Sequence, residues 1–416
     1  MINKKIVKRI YVKGQLKNVS PLLIGCGSDE QSDSDIVRDS NGNLMIPGTS
    51  IAGVLRAIVG NEDLFGGTDD KSLNSPFKTY HAVSKHKVST IRDNVHLKYE
   101  TKTAKDGGKF DYEIIEPGAE FDFRLELLLR QDDSKEVLEN SFWQAVTVLK
   151  DGHVALGAKT TRGLGKVVLE DMKALCLDMT CPADVEKWIE FDWDGADFNS
   201  PLELVEYSEG NLHKIECDFT IDGSVLIRAY NSSAEGSDSI HLSYKGNKKD
   251  NQDKEEKLPI ISGTSWAGFF RHTCWDLLKE IGKPDDILKD ILDELFGTVE
   301  GDKKKKSRIR FSESRIEGGE LIPYTRNKID RFTGGTASGA LFTNDACYGG
   351  KVRLTISIKD AKPYEIGLIE LALKDICLGL RAIGGETGVG RGTLSGEYEP
   401  KNEYLKSLAE YGAVQQ

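Results

Sequence analysis

An acidic segment near the start of the chain carries residues that could cleave a phosphodiester. It reads G-S-D-E-Q-S-D-S-D-I-V-R-D over residues 27–39 and contains Asp33 and Asp35. A carboxylate beside a scissile phosphate can hold a divalent metal ion or orient an attacking 2′-hydroxyl. A metal held there would neutralise the charge that develops on the phosphate. The alternative is a solvated acidic loop, which would have the same composition.

Two glycine-rich segments could hold phosphate groups. L-G-A-K-T-T-R-G-L-G spans residues 156–165, and I-G-G-E-T-G-V-G-R-G spans residues 383–392. Neither contains the G-K-[ST] of a P-loop, so nucleotide hydrolysis is disfavoured. Glycine leaves backbone N–H groups accessible to a phosphate, and Lys159, Arg162 and Arg391 add positive charge. The alternative is a helix-to-strand turn that needs glycine at positive φ, and both interpretations can hold at once.

Composition narrows the class of protein. The chain has 416 residues and a net charge of −11, from 56 Lys and Arg against 67 Asp and Glu. This balance argues against indiscriminate nucleic-acid binding but leaves room for a local basic groove. Seven Cys without Cys-x-x-Cys spacing favour a reducing cytoplasm over a zinc ribbon or a disulfide framework. We expect no membrane association, because no apolar run approaches the roughly 20 residues of a span and the N-terminus lacks a secretory signal.

The positions of these segments are explained by an internal repeat. I-P-G-T-S-I-A-G-V-L-R at residues 46–56 returns as I-S-G-T-S-W-A-G-F-F-R at residues 261–271. Three further pairs follow in the same order, namely two L-F-G triplets, T-A-K-D-G-G-K-F with T-A-S-G-A-L-F, and the two glycine segments. Four ordered matches indicate tandem duplication of a domain of about 200 residues. We predict a first domain over residues 1–183, an acidic linker over 184–210, partly packed by its aromatic residues, and a second domain over 211–416.

Each copy has the hydrophobic pattern of an α+β domain. Apolar residues at helical spacing predict a helix after each G-T-S, capped in the first copy by Thr49 or Ser50, and a second helix before each glycine segment. The second helix of copy two is predicted to carry its apolar face as far as Leu380. Strands are predicted over residues 6–16, 121–129, 165–169, 215–230, 352–358 and 392–398. The resulting strand–helix–strand–strand–helix–strand order predicts a ferredoxin-like sheet in each copy.

The motifs, taken together, resemble the RAMP (repeat-associated mysterious protein) superfamily of CRISPR systems. They are G-T-S-x-x-G-x-x-R, then I-D-R-x-T-G-G, then a final G-x-x-x-x-x-G-x-G. The resemblance is greatest to the repeating backbone subunits of type III effector complexes. It implies two tandem modified ferredoxin-like (RRM-like) domains with inserted loops and thumb-like hairpins. It also implies a prokaryotic cytoplasmic protein of antiviral defence that binds a CRISPR guide RNA, a target RNA and other effector subunits.

The resemblance implies a catalytic aspartate in the loop before the first helix. Counting along the family pattern places Asp33 on that position, with Asp35 close behind. In copy two, matching Ile240 to Ile36 leaves Asp238 one residue out of register. These aspartates would cleave target RNA with a divalent metal, for which we expect Mg²⁺. The alternative is a non-catalytic structural or capping subunit of the same kind of complex. A guide-processing nuclease is disfavoured because no histidine lies in a convincing motif.

Further residues are predicted to contact RNA. Ser50, Arg56, Ser265 and Arg271 lie on the G-T-S helices, where a helix N-terminus favours phosphate. The alternative there is an ordinary helix cap and a surface arginine.

The segment 330–335 is predicted to enter a thumb-like hairpin. Arg331 and Phe332 would contact RNA there, because an aromatic side chain can stack on a base. We predict that Phe342 belongs to the core. The copy-one counterpart, residues 96–110, lacks the I-D-R-x-T-G-G motif and could form a different thumb. The basic cluster at residues 303–306, with Arg308 and Arg310, suits either RNA contact or a solvated loop.

Overall fold

A computed structural model describes residues 5–27, 34–66, 75–85, 87–98, 103–229, 237–245, 257–299 and 304–411. The chain divides into two compact units. Unit 1 comprises Met1–Ile91, Asp111–Thr160 and Leu164–Glu209, and unit 2 comprises Arg92–Phe110, Thr161–Gly163 and Gly210–Gln416. Two short segments of the first copy therefore group with unit 2. Among the helices of the described residues, none is long and apolar enough to cross a bilayer.

Among its described residues, the first copy has four strands of 11 to 13 residues, with short strands and helices between them. In chain order its elements are β1 (Ile6–Asn18), β2 (Gly25–Gly27), β3 (Asp35–Ile36), β4 (Met45–Ile46), α1 (Gly48–Val59), α2 (Glu62–Phe65), β5 (Phe77–Thr79), β6 (Ala82–Val83), β7 (Thr90–Leu97), β8 (Ala104–Ile114), β9 (Glu120–Arg130), α3 (Lys135–Lys150), β10 (Val154–Ala155), β11 (Lys166–Asp178) and α4 (Pro182–Ile189).

The central sheet of unit 1 has the ferredoxin-like order. β1 pairs antiparallel with β11 on one side and with β9 on the other, and β5 pairs antiparallel with β9. Helix α1 lies in the chain between β1 and β5, and α3 lies between β9 and β11. The predicted apolar face of α3 is buried throughout, which confirms the periodicity: Leu138, Phe142, Ala145, Val146 and Leu149.

The aromatic residues after α4 pack on the sheet, as predicted. Phe191 stacks on Tyr11 with ring centroids 4.3 Å apart, and Phe198 lies under the ammonium group of Lys13 at 4.2 Å. Lys13 Nζ also donates to the carbonyl of Trp193 at 2.5 Å. This segment, which follows α4, covers Tyr11 on the strand next to β11, and Tyr11 is 3% exposed.

The second copy repeats the same series with longer insertions. Its elements are β12 (Leu212–Asp222), β13 (Ser224–Val225), β14 (Arg228–Ala229), β15 (Ser239–His241), β16 (Ser243–Lys245), β17 (Lys257–Ile261), α5 (Gly263–Glu280), α6 (Asp285–Phe296), β18 (Ile309–Phe311), β19 (Ser314–Glu317), β20 (Glu320–Ile329), β21 (Thr336–Tyr348), β22 (Lys351–Lys359), α7 (Pro363–Cys377), β23 (Leu378–Ala382), β24 (Thr393–Gly396) and α8 (Asn402–Glu410).

Unit 2 has the same strand order. β12 pairs antiparallel with β24 and β22, and β18 pairs antiparallel with β22. The two units therefore confirm the predicted pair of ferredoxin-like domains. Strand β12 ends at Asp222 rather than at residue 230, because Gly223 turns the chain at φ 76° into β13. Helix α7 ends at Cys377, so Leu380 lies in β23 with 67% of its surface exposed, and its predicted place on the helix face is wrong.

Helix α1 begins one or two residues before its predicted cap. It starts at Gly48, whose N–H donates to His81 Nδ1 at 3.2 Å, and among the described residues no side chain caps the helix. The predicted cap by Thr49 or Ser50 is therefore wrong, because both residues already lie inside the first turn. In unit 2 the cap is Ser262, whose side chain accepts from the N–H of Ser265 at 3.2 Å.

Core packing in unit 2 buries a histidine without a charge partner. His241 is 3% exposed, its Nδ1 accepts from the N–H of Ile227 at 3.2 Å, and its Nε2 lies 3.0 Å from the carbonyl oxygen of Ile260. Burial lowers the pKa of His241 to about 4. The folded protein therefore keeps this imidazole neutral at pH values where an unfolded chain binds a proton.

We predict that unit 2 loses stability as the pH falls from about 6.5 to about 4. The unfolded histidine takes up a proton in this window and the folded one does not, so His241 contributes a slope of at most about 1.4 kcal/mol per pH unit. Urea unfolding midpoints between pH 7 and pH 4.5 measure it. His241→Gln removes this slope, whereas His96→Gln, at an exposed position, retains it. An unchanged slope in His241→Gln would contradict the assignment.

Candidate nucleic-acid interface

The acidic segment contributes a short strand to unit 1. Asp33 lies outside the described residues, which resume at residue 34. Asp35 opens β3 and pairs with Gly27 of β2. Within the described ranges, no group of three or more His, Cys, Asp or Glu side chains is placed to hold a metal ion.

Backbone pairing fixes how the two copies correspond around this segment. Gly25 pairs with Ile36 in the β2–β3 ladder, and Arg228 pairs with His241 in the β14–β15 ladder. The next backbone hydrogen bond repeats as well, from Val37 N to Ile24 O at 3.0 Å and from Leu242 N to Ile227 O at 2.7 Å. The counterpart of Ile36 is therefore His241, not Ile240.

This correspondence corrects the predicted offset in copy two. Asp238 precedes Ser239 in unit 2 as Asp33 precedes Ser34 in the first copy, so the two aspartates occupy the same position in the chain. The predicted one-residue offset is wrong. It matched Ile36 with Ile240 because the two residues are identical, whereas the hydrogen bonds match Ile36 with His241. Asp35, in contrast, corresponds to Ile240 and has no acidic counterpart.

In each unit the acidic segment rests against the second strand of a hairpin. The Asp238 carboxylate accepts from the N–H of Thr343 at 2.8 Å, and its own N–H donates to the Thr343 carbonyl at 2.7 Å. In unit 1 the carbonyl of Ser34 accepts from the N–H of Glu113, on β8, at 3.0 Å. The Asp238 carboxylate is thereby held beside Thr343, where the outer part of β21 meets the buried residues Asn344, Ala346 and Cys347, and we call this point the base of the β20–β21 hairpin.

A charged pair fixes the far end of the acidic segment in unit 1. Glu113 accepts hydrogen bonds from the Ser89 hydroxyl, from Ile36 N at 2.9 Å and from Arg38 at 2.7 Å. Burial opposes ionisation of Glu113, but these donors outweigh it and hold its pKa below the usual range. Glu113 therefore stays charged and anchors both Arg38 and β3.

The β20–β21 hairpin presents an aromatic residue at its tip. Phe332 is fully exposed. Asp330 closes the turn, since its carboxylate accepts from the N–H groups of Thr333 at 2.8 Å and Phe332 at 2.9 Å, and these bonds lower its pKa. Arg331, between them, is also exposed. The tip is thus an ordered turn that offers one aromatic ring and one guanidinium group.

Phe342 lies on this hairpin and not in the core. It pairs with Arg326 across the two strands and is 50% exposed, so its predicted core position is wrong. At this position β21 pairs only with β20 among the described strands, and a two-stranded segment does not bury both of its faces. In the first copy β7 and β8 also pair as a hairpin, and the residues at its tip, 99–102, lie outside the described part of the chain.

The glycine segments form the same backbone clasp in both units. One N–H group near the start of each segment and one at its end donate to carbonyls near the start of the copy: Ala158 N to Leu23 O (2.8 Å), Gly165 N to Pro21 O (2.7 Å), Gly385 N to Leu226 O (2.7 Å) and Gly392 N to Ser224 O (2.7 Å). These four amides are therefore used within the protein, which supports the turn interpretation for them.

The cations of the glycine segments differ in accessibility. Arg162 is exposed, and Lys159 lies with its Nζ 3.5 Å from the ring centroid of Tyr112. Arg391 is 6% exposed, and its Nε donates to Glu386 at 3.0 Å. Arg391 therefore has an internal partner, whereas Arg162 remains accessible for the RNA contact that we predicted.

The two arginines of the G-T-S helices also differ. Arg271 donates to the carbonyl of Gly297 at 2.9 Å and to Asp293 at 3.3 Å, so it ties α5 to the end of α6. Arg56 is partly exposed, and its side chain has no partner among the residues that the structure describes. The predicted RNA contact suits Arg56 better than Arg271. Ser50 and Ser265 are both partly exposed in the first turn of their helices.

Part of the basic cluster after α6 is internally paired. Lys305 bonds to Glu294, and Arg308 bonds to the buried Glu365. Arg308 also donates to the carbonyl of Asp360 at 2.9 Å. These two cations therefore stabilise the surroundings of α6 and α7, and Lys303 lies outside the described residues.

Sequence reasoning missed two cations. Arg228 on β14 and Arg326 on β20 both reach the carboxylate of Glu386. They are nearly a hundred residues apart and belong to no motif. The only signal was the glutamate of the second glycine segment, where the first has Lys159.

Comparison with known proteins matches both copies. The family model described as the RAMP superfamily matches residues 15–168 and 218–395. A relative from Methanocaldococcus jannaschii, described as the CRISPR system Cms endoribonuclease Csm3, is 24% identical over 215 residues. That match covers 84% of the relative and 42% of this chain. A single match of this kind therefore accounts for most of the relative but for less than half of the present chain.

We predict that Gly392→Ala destabilises unit 2 strongly. A methyl group there would lie 2.0 Å from the carbonyl oxygen of Ile383, and the residue has φ 82°. The cost should exceed about 1 kcal/mol, since an alanine in an incompatible backbone conformation destabilises by more than the roughly 0.4–1 kcal/mol that an unstrained replacement gains. Gly388→Ala, in the same segment with nothing within 4 Å, is the matched control. Equal urea midpoints for the two variants would contradict the close approach of Gly392 to Ile383.

We predict that replacing Arg271 affects thermal stability, whereas replacing Arg56 affects RNA binding. Arg271→Ala should lower the thermal midpoint, because it removes hydrogen bonds of a charged group worth about 1.5–3 kcal/mol. Arg56→Ala should leave the midpoint unchanged and weaken binding of single-stranded RNA, with a smaller dependence on salt. Thermal unfolding and RNA titrations at several salt concentrations measure the two effects. Unchanged RNA affinity and salt slope in Arg56→Ala would exclude its phosphate contact.

Proposed function

The chain belongs to the RAMP superfamily, and from this premise we propose that it is a guide-RNA-binding backbone subunit of a type III CRISPR effector ribonucleoprotein. It acts in the prokaryotic cytoplasm, holds the guide–target duplex and cleaves the target RNA. The relative described as a CRISPR endoribonuclease supports this activity. The observation that carries the proposal is the shared position of Asp33 and Asp238, each directly before a residue that pairs with the base of a hairpin.

The hairpin of unit 2 suits contact with a paired RNA strand. Phe332 at its tip is fully exposed, and Arg331 beside it supplies a positive charge. Stacking of a base on an aromatic ring contributes about 1–3 kcal/mol and tolerates any base. A ring at the tip can therefore interrupt base stacking without a sequence requirement, which a backbone subunit that serves many guides needs.

The carboxylate at the hairpin base suits cleavage of the strand. Asp238 is exposed and keeps a fixed position through its two hydrogen bonds to Thr343. Mg²⁺ is commonly held by one or two carboxylates together with substrate phosphates. One aspartate per copy fits that mode of binding, with Asp238 as the ligand in unit 2 and Asp33 in the first copy, where Asp35 is close in sequence. The metal would supply charge neutralisation at the phosphate.

A second candidate function is a non-catalytic structural subunit. The bond from Thr343 to the Asp238 carboxylate favours it, because an aspartate that anchors a hairpin has a structural reason to be present. Substitution by asparagine separates the two roles, since its side-chain oxygen accepts the same hydrogen bond but carries no charge.

We predict that Asp33→Asn and Asp238→Asn each abolish one set of cuts. The complex, reconstituted with guide RNA and the other effector subunits, is given a matched target RNA and Mg²⁺. Each variant should lower the cleavage rate at its own site at least about 100-fold, the usual contribution of a positioned acid or base. Guide binding should stay within about twofold, because asparagine has nearly the shape of aspartate and, at position 238, accepts the same hydrogen bond from Thr343.

Asp35→Asn is the matched control, since its counterpart in copy two is an isoleucine. It should cut close to the wild-type rate, and a loss equal to that of Asp33→Asn would move the catalytic role in copy one to Asp35. If a variant that combines Asp33→Asn, Asp35→Asn and Asp238→Asn still cuts at every site, the chain is a structural subunit and the cleavage assignment fails.

A further inference from the structure

Three arginines of unit 2 converge on one carboxylate. Arg391 Nε donates to one oxygen of Glu386 at 3.0 Å. The other oxygen forms ion pairs with Arg326 Nη2 at 2.6 Å and with Arg228 Nη2 at 3.5 Å, and it accepts a hydrogen bond from the side-chain amide of Asn344 at 2.7 Å. Glu386 is held at φ 60°, a backbone conformation that residues other than glycine rarely adopt.

The cluster carries more positive charge than Glu386 compensates. Arg391 is buried, and it also donates to the hydroxyl of Ser224 at 2.8 Å. The side chains of Arg228 and Arg326 are 59% and 32% exposed, and among the described residues Glu386 is the partner that each has. Asp345, next to Asn344 on β21, accepts instead from the hydroxyl of Ser237. One carboxylate thus faces three guanidinium groups.

The two outer guanidinium groups still have donors to offer. Each guanidinium has five N–H donors in a planar fork, and Glu386 uses only part of them. That geometry matches the oxygens of a phosphate, and an anion would relieve the repulsion between the two cations. An exposed pair of arginines on a fixed carboxylate is therefore a preformed anion site.

The site lies near Asp238, the carboxylate assigned to cleavage, whose partner Thr343 follows Phe342 on β21. Arg326 pairs across the hairpin with Phe342, and Arg228 pairs with His241 on β15. β15 begins one residue after Asp238. A phosphate bound between the two arginines would therefore belong to a strand that passes the base of the hairpin.

The cluster is particular to unit 2. In unit 1, Gly25 takes the place of Arg228 and Lys159 takes the place of Glu386. Leu164 takes the place of the buried Arg391. The correspondence follows from the clasp, whose hydrogen bonds repeat in both units. The second copy has therefore acquired three charges that the shared fold does not require.

We propose that Arg228 and Arg326 bind one phosphodiester of an RNA strand at the base of the hairpin, with Glu386 as the residue that positions both guanidinium groups. This inference rests on the proposed function. The ligand is a phosphate within RNA, held by two forked donors and independent of the base sequence. Arg391 acts through Glu386 and does not itself contact the RNA.

The test compares salt dependence of RNA binding in the full chain. A fluorescently labelled single-stranded RNA is titrated between about 0.05 and 0.2 M salt. Arg228→Gln with Arg326→Gln should weaken binding about tenfold and reduce the slope of log affinity against log salt by about 0.7, the value for one phosphate of a single strand. Glu386→Gln keeps a side-chain oxygen that can still accept from both arginines, but it leaves one more net positive charge, so it should tighten binding.

Arg353→Gln is the control for the loss of an arginine charge outside the site, because it removes one positive charge, against two in the double variant, from an arginine that pairs with Asp218 on the central sheet. It should leave affinity and slope unchanged, and thermal midpoints check that every variant folds. If wild-type protein binds RNA and the double variant binds it with equal affinity and slope, the site does not exist. If wild-type protein binds no RNA at any salt concentration, the proposed function itself fails.

Discussion

The clasp between each glycine segment and the start of its copy is the constraint on which the fold depends. In both units an N–H at the end of the segment donates to a carbonyl two or three residues after the first long strand, that of Pro21 in one copy and Ser224 in the other. The approach leaves no room for a side chain, since a Cβ on Gly157 would lie 2.1 Å from the carbonyl oxygen of Leu23, and one on Gly384 would lie 2.6 Å from that of Leu226. The clasp therefore fixes the last strand of each sheet relative to the first.

Because the clasp is made by the backbone, the side chains around it can diverge. Position 159 is a lysine over a tyrosine ring in unit 1, and its counterpart Glu386 collects arginines in unit 2, yet both residues keep φ near 60°. Backbone hydrogen bonds do not depend on side-chain identity, so a duplicated domain can change the charge of this loop without losing its sheet order. Function can then differ between two copies that share a fold.

Much of the architecture was predictable from the sequence, because it follows from periodicity. The repeat, the buried face of α3 and the aromatic residues that pack after α4 all depend on which residues are apolar and how they are spaced. Apart from Leu380, where the helical spacing continues past the end of α7, the errors concern features that periodicity does not determine. Phe342 looked like a core residue because composition does not reveal that, among the described strands, the outer part of β21 pairs only with β20. The cap of α1 was misplaced because the N–H of Gly48 bonds to His81, a residue distant in sequence.

The candidate site shows the same division more sharply. The sequence shows that both segments contain aspartates, but it does not show which aspartate of one copy corresponds to which of the other. Ile36 and Ile240 are identical residues, yet they occupy different positions in their strand pairs. Only the hydrogen-bond pairing shows that Ile36 corresponds to His241, and it follows that Asp238 corresponds to Asp33. Arg228 and Arg326 were invisible for a related reason, because two cations nearly a hundred residues apart acquire meaning only when the fold brings them to one carboxylate. A site of this kind is a property of the topology, and sequence motifs identify only those of its parts that happen to be adjacent along the chain.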